Sequence, residues 1–270
     1  METTTTTRQD AGDYAVPSVE RAFAVLRYLG EGNRCRNLSR ASKDLGINRT
    51  TLIRLIHSLS RMNMVEAIED GAGYRLGPGL IGLAAQALHS RDIVRVSQPI
   101  LAELSRETGL SAHMGILDGV DIVYLAREAP NSHLVSNVHA GSRLPAHASS
   151  IGRAILAEMS DAALRELLRD VRLAPVTAKT PVSLDQVLAQ KARDKAAGHA
   201  WSEGNFESGI GSCAAVIFDH DGAPAGALNV SGPVARFQED GTGDAARLRD
   251  AVIAAAARAS QAMGYSGHRY

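Results

Sequence analysis

Between Leu38 and Glu66 the chain reads LSRASKDLGINRTTLIRLIHSLSRMNMVE, and this stretch restricts the fold tightly. Gly46 sits just past a short amphipathic run, and Asn48 follows where it can cap a second one. At ~100° per residue, Leu52, Leu55, Ile56 and Leu59 fall on one side of that second helix. Arg49, Thr50, Ile53, Arg54 and His57 fall on the other. Two helices joined this tightly need a third apolar surface, and VPSVERAFAVLRYLGEG supplies a helix upstream. There Ser18 is the candidate cap, Val19, Ala22, Phe23 and Leu26 form an apolar stripe, and Gly30 and Gly32 end the run. Ser39 is the candidate cap of the middle helix. Downstream, MVEAIEDGAGYRLG reads as two short strands around Asp70–Gly73. Three helices and a hairpin make a winged helix-turn-helix.

Charge gives that module a partner. From Arg34 to Arg61 there are seven basic residues and one acid, Asp44, a local charge of +6 in a chain whose formal net charge is zero. Such segregation suits a DNA backbone, because phosphate contacts drive affinity. Arg49 and Arg54 lie where a helix in the major groove presents them, and arginine bonds guanine O6 and N7 bidentately. Thr and Ile methyls can touch a thymine methyl, Thr51 at the edge of the face suits phosphate, and Arg75 near the wing suits the flanking backbone.

The 270 residues leave ample length for a second domain. Residues 1–15, with their run of threonines, read as a disordered tail, 16–78 as the DNA-binding domain, 79–96 as a linker helix and 97–265 as the second domain. PGLIGLAAQALHSRDIVRVSQPILAELSRETG continues as helix, with Leu80, Ile81, Leu83, Ala84 and Leu88 on an apolar face. Pro99 either interrupts that run or opens the next helix, and Gly109 ends it. Beyond it, SAHMGILDGVDIVYLARE is strand, Asp118-Gly119 turn, strand. HLVSNVHAG reads as strand, HASSIGRAILAEM and DAALRELLRD as helix. SLDQVLAQKARDKAAG opens with a Ser183–Gln186 capping box and closes at Gly198. CAAVIFDHDGAPAGALNVSG is a second hairpin turning at Asp221-Gly222, and a final helix runs from about Asp244 to Met263. This is an α+β domain with a largely antiparallel sheet.

No catalytic constellation emerges. The nine histidines show no i, i+4 metal pair and no Cys-x-x-Cys accompanies them, so each is expected to be a surface or core residue. His133 and His139 share a strand face, which leaves a metal there as an alternative; otherwise neither a metal nor a cofactor is expected. Cys35 and Cys213 are far apart, which argues against a disulfide framework and for the cytoplasm. No apolar run approaches the ~20 residues of a membrane helix, and the N-terminus has no secretory h-region.

The motifs agree in order and spacing with one family. INRTTLIRLIHSLSRMNMVE followed by YRLGPGLIGLA resembles the N-terminal domain of the IclR family of bacterial transcriptional regulators. GSRLPAHASSIGRAILA resembles that family's Gly-x-x-Leu-Pro-x-His-Ala segment leading into a Gly-Lys/Arg helix. FDHDGAPAGALNVSGP resembles its closing hairpin. The resemblance runs from Val16 to about Met263. It implies a winged helix-turn-helix, a linker helix and a C-terminal GAF-like effector-binding domain with an antiparallel sheet.

The resemblance also implies an effector pocket between the sheet, the HASSIGRA helix start and the loop WSEGNFESGIGSC. Carried over, its lining is Leu144, Ser150, Ile151, Ser202, Ile210, Ser212, Asn229 and Ser231, with His133 and Ser136 from the adjoining strand. Ser150 at a helix N-terminus favours an anion, and Asn229 and Ser231 share a strand face. This lining suits a small organic carboxylic acid. Ser202 and Ser212 depart from the acid and the cysteine found in some relatives, and Cys213 points the other way. Trp201 and Phe206 in the pocket loop are candidates to cover the ligand, which tilts the expectation toward a hydroxylated or aromatic acid. The resemblance further implies a homodimer or dimer of dimers on double-stranded operator DNA, dimerised through the linker helix. Two rivals are a winged helix used for protein contacts and an enzyme acting on a small acid.

Overall fold

The computed structural model describes residues 15–89, 92–130, 138–238 and 244–267, with the side chains of Leu88 and His89 excepted. The expected tail at 1–15 thus lies outside it but for Ala15. The chain divides into two compact units, Met1–Ala87 and Leu88–Tyr270.

The first unit holds α1 (Pro17–Gly30), α2 (Leu38–Leu45), α3 (Arg49–Arg61), β1 (Val65–Ile68), β2 (Gly73–Leu76) and most of α4 (Pro78–His89). Its core gathers Val25, Leu29, Ala41, Ile47, Leu52, Ile56, Leu59 and Val65. The turn between α2 and α3 works as its residues suggest. Gly46 takes the left-handed conformation after α2, and Asn48 Oδ1 accepts the Thr51 amide at 2.8 Å. Removing that cap by Asn48→Ala is expected to cost about 1 kcal/mol, read as a lower unfolding midpoint with an unchanged far-UV spectrum.

Three details differ from the sequence reading. Asn37, not Ser39, caps α2, accepting the amides of Ser39 and Arg40 at 3.0 Å each. Ser18 caps nothing; α1 begins at Pro17, whose preset φ and missing N–H suit a first position, and Val16 precedes it without a capping bond. The buried stripe of α1 is Val25 and Leu29 with Ala22 and Leu26 beside them, whereas Val19 and Phe23 are exposed. Phe23 lies ~100° from Ala22 and so turns off the stripe.

The wing is sewn to the segment after α1. β1 and β2 pair antiparallel from Val65↔Leu76 to Ile68↔Gly73, and the Tyr74 amide donates to the Arg34 carbonyl at 2.7 Å. Gly73, at φ +102°, has no room for a side chain, since a Cβ would stand 1.9 Å from the Arg34 oxygen.

The second unit is an α+β domain around a six-stranded sheet. Its elements are α5 (Asp92–Thr108), β3 (Ser111–Asp118), β4 (Asp121–Glu128), β5 (Arg143–Pro145), α6 (Ser150–Glu158), α7 (Asp161–Leu167), α8 (Leu184–Ala197), β6 (Ala200–Glu203), β7 (Ile210–Phe218), β8 (Pro224–Pro233) and α9 (Asp244–Ala262). Strand order is β5-β4-β3-β8-β7-β6, and each neighbouring pair is antiparallel. Alternation splits the sheet into two faces. Ala112, Met114, Cys213, Ala215, Ile217, Leu228 and Val230 pack with α5 and α9. Ala214, Val216, Phe218 and Ala227 pack with α6, α7 and α8.

Here too the structure corrects the sequence reading. The helical stretch after the wing is two helices, and Pro99 lies inside α5 instead of breaking or opening it. Burial of Ile93, Val94, Leu101 and Leu104 on both sides of Pro99 outweighs the one lost backbone bond. Of the expected strand HLVSNVHAG, residues 133–137 lie outside the described set, and residues 138–141 form no strand. β5 and β6 went unread because strands of three and four residues carry too little periodicity. At β6 the expected loop WSEGNFESGIGSC already contains sheet.

Candidate functional site

Two surfaces stand out. On the first unit, α3 turns Arg49, Thr50, Ile53, Arg54 and His57 to solvent, with Thr51 half-buried at the edge. Arg34, Arg36 and Arg40 gather with Tyr28, Asn33 and Asn37 around a shallow depression. Among the described residues, no ion pair engages Arg34, Arg36, Arg49, Arg54 or Arg61. Arg75 stands mid-strand opposite Glu66 and pairs with it, not at the wing tip. That pair is exposed, so it holds the arginine only weakly.

On the second unit, the α6 face of the sheet changes character along its strands. Ser202, Ser212, Ser231 and Ser111 are register partners across β6, β7, β8 and β3. Two residues on come Ala200, Ala214, Asn229 and His113, and beyond them Val216, Ala227 and Gly115 lead into the core. The polar end of this face meets the start of α6, and a cavity lies there, of about 470 Å³ including its open mouth.

The structure brings together at this cavity Leu144, Ser150, Ser202, Ile210, Ser212, Asn229 and Ser231 of the residues carried over. Ile151 is the exception; it is fully buried in the core beneath α6. His133 and Ser136 lie outside the described residues. His139 stands nearby in the chain with its Nδ1 3.1 Å from Ser142 Oγ. Phe206 lines the cavity, but Trp201 does not. Trp201 shares a register rung with Cys213 on the other face, where its Nε1 donates to the Phe237 carbonyl at 3.1 Å.

Sequence reasoning missed His113, Tyr124, Val138, Ala148, Ser149 and Glu207 in the lining. His113 and Asn229 are adjacent through the β3–β8 register, and Tyr124 enters where a bulge shifts the β3–β4 register after Met114. Neither relation has a local sequence signal.

The start of α6 and the loop after β6 are held from behind. Ser149 caps α6 by accepting the Gly152 amide at 3.1 Å. The first amides of the helix, at Ser150 and Ile151, have no acceptor within it. Gly152 lets α6 seat closely, since a Cβ there would stand 2.2 Å from the Ala146 oxygen. Arg153 follows, and its guanidinium grips Asp194 of α8 twice, at 3.0 and 2.7 Å, with both side chains only 5% exposed. Gln190 adds a bond to the same carboxylate at 2.9 Å. The loop after β6 is stapled by Thr177 and Thr180, whose hydroxyls donate to the Gly204 and Asn205 carbonyls at 2.8 and 2.6 Å. Ser202 Oγ donates to Asn205 Oδ1 at 3.0 Å, which commits its hydrogen to that loop.

Asn229 links two elements, donating from Nδ2 to Ser150 Oγ and facing His113 Nδ1 through Oδ1, at 3.1 Å in each case. Burial lowers the His113 pKa to about 4, against the opposing pull of the Asn229 bond. Burial also raises the Tyr124 phenol well above its ordinary range. Among the described residues, no protein group accepts from the hydroxyls of Ser150, Ser212 or Ser231.

A winged helix-turn-helix in the same chain as an α+β domain with a small-molecule cavity is the make-up of a ligand-responsive DNA-binding regulator. Residues 18–68 match the IclR helix-turn-helix domain, and residues 85–261 match the bacterial transcriptional regulator IclR C-terminal domain. The chain is 28% identical over 250 residues to the HTH-type transcriptional regulator XynR of Escherichia coli K12, covering 93% of this chain and 98% of XynR. It is 33% identical over 220 residues to the Pca regulon regulatory protein of Pseudomonas putida, covering 81% of this chain and 75% of that protein. The crystal structure of a transcriptional regulator from Rhodococcus sp. RHA1 superposes with a TM-score of 0.81 at 30% identity, over 92% of this chain and 98% of that one. The chain belongs to the IclR family of bacterial transcriptional regulators. Its relatives are regulators and not enzymes. No helix among the described residues is long and apolar enough to cross a membrane.

Proposed function

We propose that this regulator senses a small organic carboxylic acid in the cytoplasm and controls a catabolic operon. The observation that carries the acid is the junction of the α6 N-terminus with the serine rung. Two amides with no acceptor inside the helix, a helix dipole and three hydroxyls with hydrogens to give converge on one cavity. An anion is what such donors prefer, and Leu144, Ile210 and Phe206 supply an apolar wall for its body. Arg49, Thr50, Ile53, Arg54 and His57 read base edges of the operator, and Thr51, Arg34, Arg36, Arg40 and Arg75 hold its phosphates.

The working form is a homodimer or a dimer of dimers. Support comes from apolar side chains that the single chain leaves in water. Ile81 of α4 is 72% exposed, Leu83 beside it is also exposed, and Phe23 of α1 is 57% exposed. Large exposed apolar groups of this kind mark contact surfaces. Paired recognition helices then reach half-sites about one DNA turn, ~34–36 Å, or a multiple of it apart. The effector acts by favouring one arrangement of the two DNA-binding domains, for which ~1–3 kcal/mol of coupling suffices.

The test is a thermal-unfolding screen against hydroxylated, aromatic and two- or three-carbon acids. A ligand at a hundredfold above its Kd adds ~2.7 kcal/mol, which in a domain of this size raises the midpoint by roughly 5–10 °C. Ser231→Ala is expected to reduce that rise. Stabilisation by amines or neutral sugars but by no acid would remove the anion reading.

A further inference from the structure

Among the side-chain nitrogens and oxygens of the residues lining the cavity, His113 Nε2 alone is both fully buried and without a hydrogen-bond partner among the described residues. Its residue is 1% exposed, on the second rung of the α6 face, so solvent does not satisfy it. Leaving a buried polar atom unpaired forfeits its hydration without a replacement bond, and here nothing structural is returned for it. The rest of the ring is fully specified. Nδ1 lies 3.1 Å from Asn229 Oδ1, and the ring stands edge-on to Tyr124 at 5.7 Å between centroids.

With the Asn229 amide nitrogen turned to Ser150 Oγ, the roles of the neighbouring groups follow. Asn229 uses its amide nitrogen on Ser150 Oγ, so its oxygen is left for His113. An amide oxygen only accepts; the proton between them therefore sits on His113 Nδ1. In a neutral imidazole with Nδ1 protonated, Nε2 carries a lone pair and no hydrogen. Ser150 Oγ, already accepting from Asn229, keeps its own hydrogen to give. The relay thus presents one donor and one acceptor, Ser150 O–H and His113 Nε2, from neighbouring elements.

We propose that His113 Nε2 accepts a hydrogen bond from a hydroxyl of the effector, so that the ligand class is a hydroxylated carboxylic acid. This rests on the reading of the cavity as an acid site. The donors around the α6 N-terminus hold the carboxylate, and His113 distinguishes a hydroxy acid from its deoxy counterpart. Asn229 is a positioning residue that sets which nitrogen of the ring is bare.

Two measurements on the full-length protein test it. The first needs no ligand: long-range proton–nitrogen NMR at neutral pH is expected to show His113 neutral and protonated on Nδ1. Protonation on Nε2 would overturn the proposal. The second is calorimetry with matched pairs, 4-hydroxybenzoate against benzoate and 3-hydroxybutyrate against butyrate. In at least one pair the hydroxylated acid is expected to bind roughly ten- to a hundredfold tighter. His113→Asn, which keeps a donor at the Nδ1 position, is expected to erase that preference, and His113→Gln, which restores an oxygen near the Nε2 position, to recover part of it. Equal binding of both members in wild type and His113→Asn would sink the role of His113 and leave the acid site standing. If neither pair binds while an acid of another class does, the hydroxy-acid class falls alone. If no acid binds at all, the acid reading falls and this proposal with it.

Discussion

Asp194→Ala is expected to destabilise the second unit by about 3–5 kcal/mol, the largest effect of any single substitution considered. Arg153 Nε and Nη2 each bond one oxygen of this carboxylate, and the pair is nearly inaccessible to water. Removing the acid strands a buried guanidinium, and that penalty, not the worth of the pair itself, is what unfolding will read. The contrast is a double substitution to apolar residues of similar volume, Arg153→Met with Asp194→Leu, which removes both charges and is expected to come near neutrality. Urea unfolding of the three proteins separates the cases. An Asp194→Ala protein within 1 kcal/mol of wild type would mean that water reaches this pair. The location gives the result functional weight. Arg153 is the fourth residue of α6, directly after Gly152, so the pair ties the N-terminal turn that faces the cavity to α8. A loosened α6 is expected to lose its response to acids before it loses its fold.

Arg49→Ala and Arg54→Ala together are expected to lower affinity for the operator by roughly thirtyfold to ten-thousandfold, taking ~1–3 kcal/mol for each bidentate base contact. Both side chains are exposed and neither makes an ion pair among the described residues, so stability should stay within ~0.5 kcal/mol. Binding to a scrambled duplex should weaken far less, because that mode depends on phosphate contacts. Equal losses on both duplexes would assign these arginines to the DNA backbone instead of to its bases. Circular dichroism of the free protein guards against an unfolding artefact.

The parts of this molecule that could be read from sequence are those written in short-range terms. The α3 faces follow from a 3.6-residue period, and Gly46 and Asn48 mark its turn because a left-handed residue and a cap are local requirements. Asn229 and Ser231 share a face because alternation within one strand is local too. What escaped notice depends on register or on tertiary support. His113 and Tyr124 enter the cavity through β3–β8 pairing and a bulge. Pro99 inside α5 is tolerated because the core holds the helix from both sides. Ile151, adjacent to Ser150, reads as a wall residue in sequence, yet one residue is ~100° of helix and turns it into the core. Trp201 alternates away from the cavity for the same kind of reason, since β6 was unread and its faces with it.

The central claim is that the charged face of the first unit reads DNA while the cavity of the second listens to a small acid. The most direct test is fluorescence anisotropy of the full-length protein with a duplex from upstream of its own gene and a scrambled duplex, across a salt series. The account predicts tight binding to the first duplex only, weakening steeply as salt rises. It also predicts a shift in that affinity when a stabilising acid is added. Equal, feeble binding to both duplexes at every salt, unchanged by any acid, would contradict it.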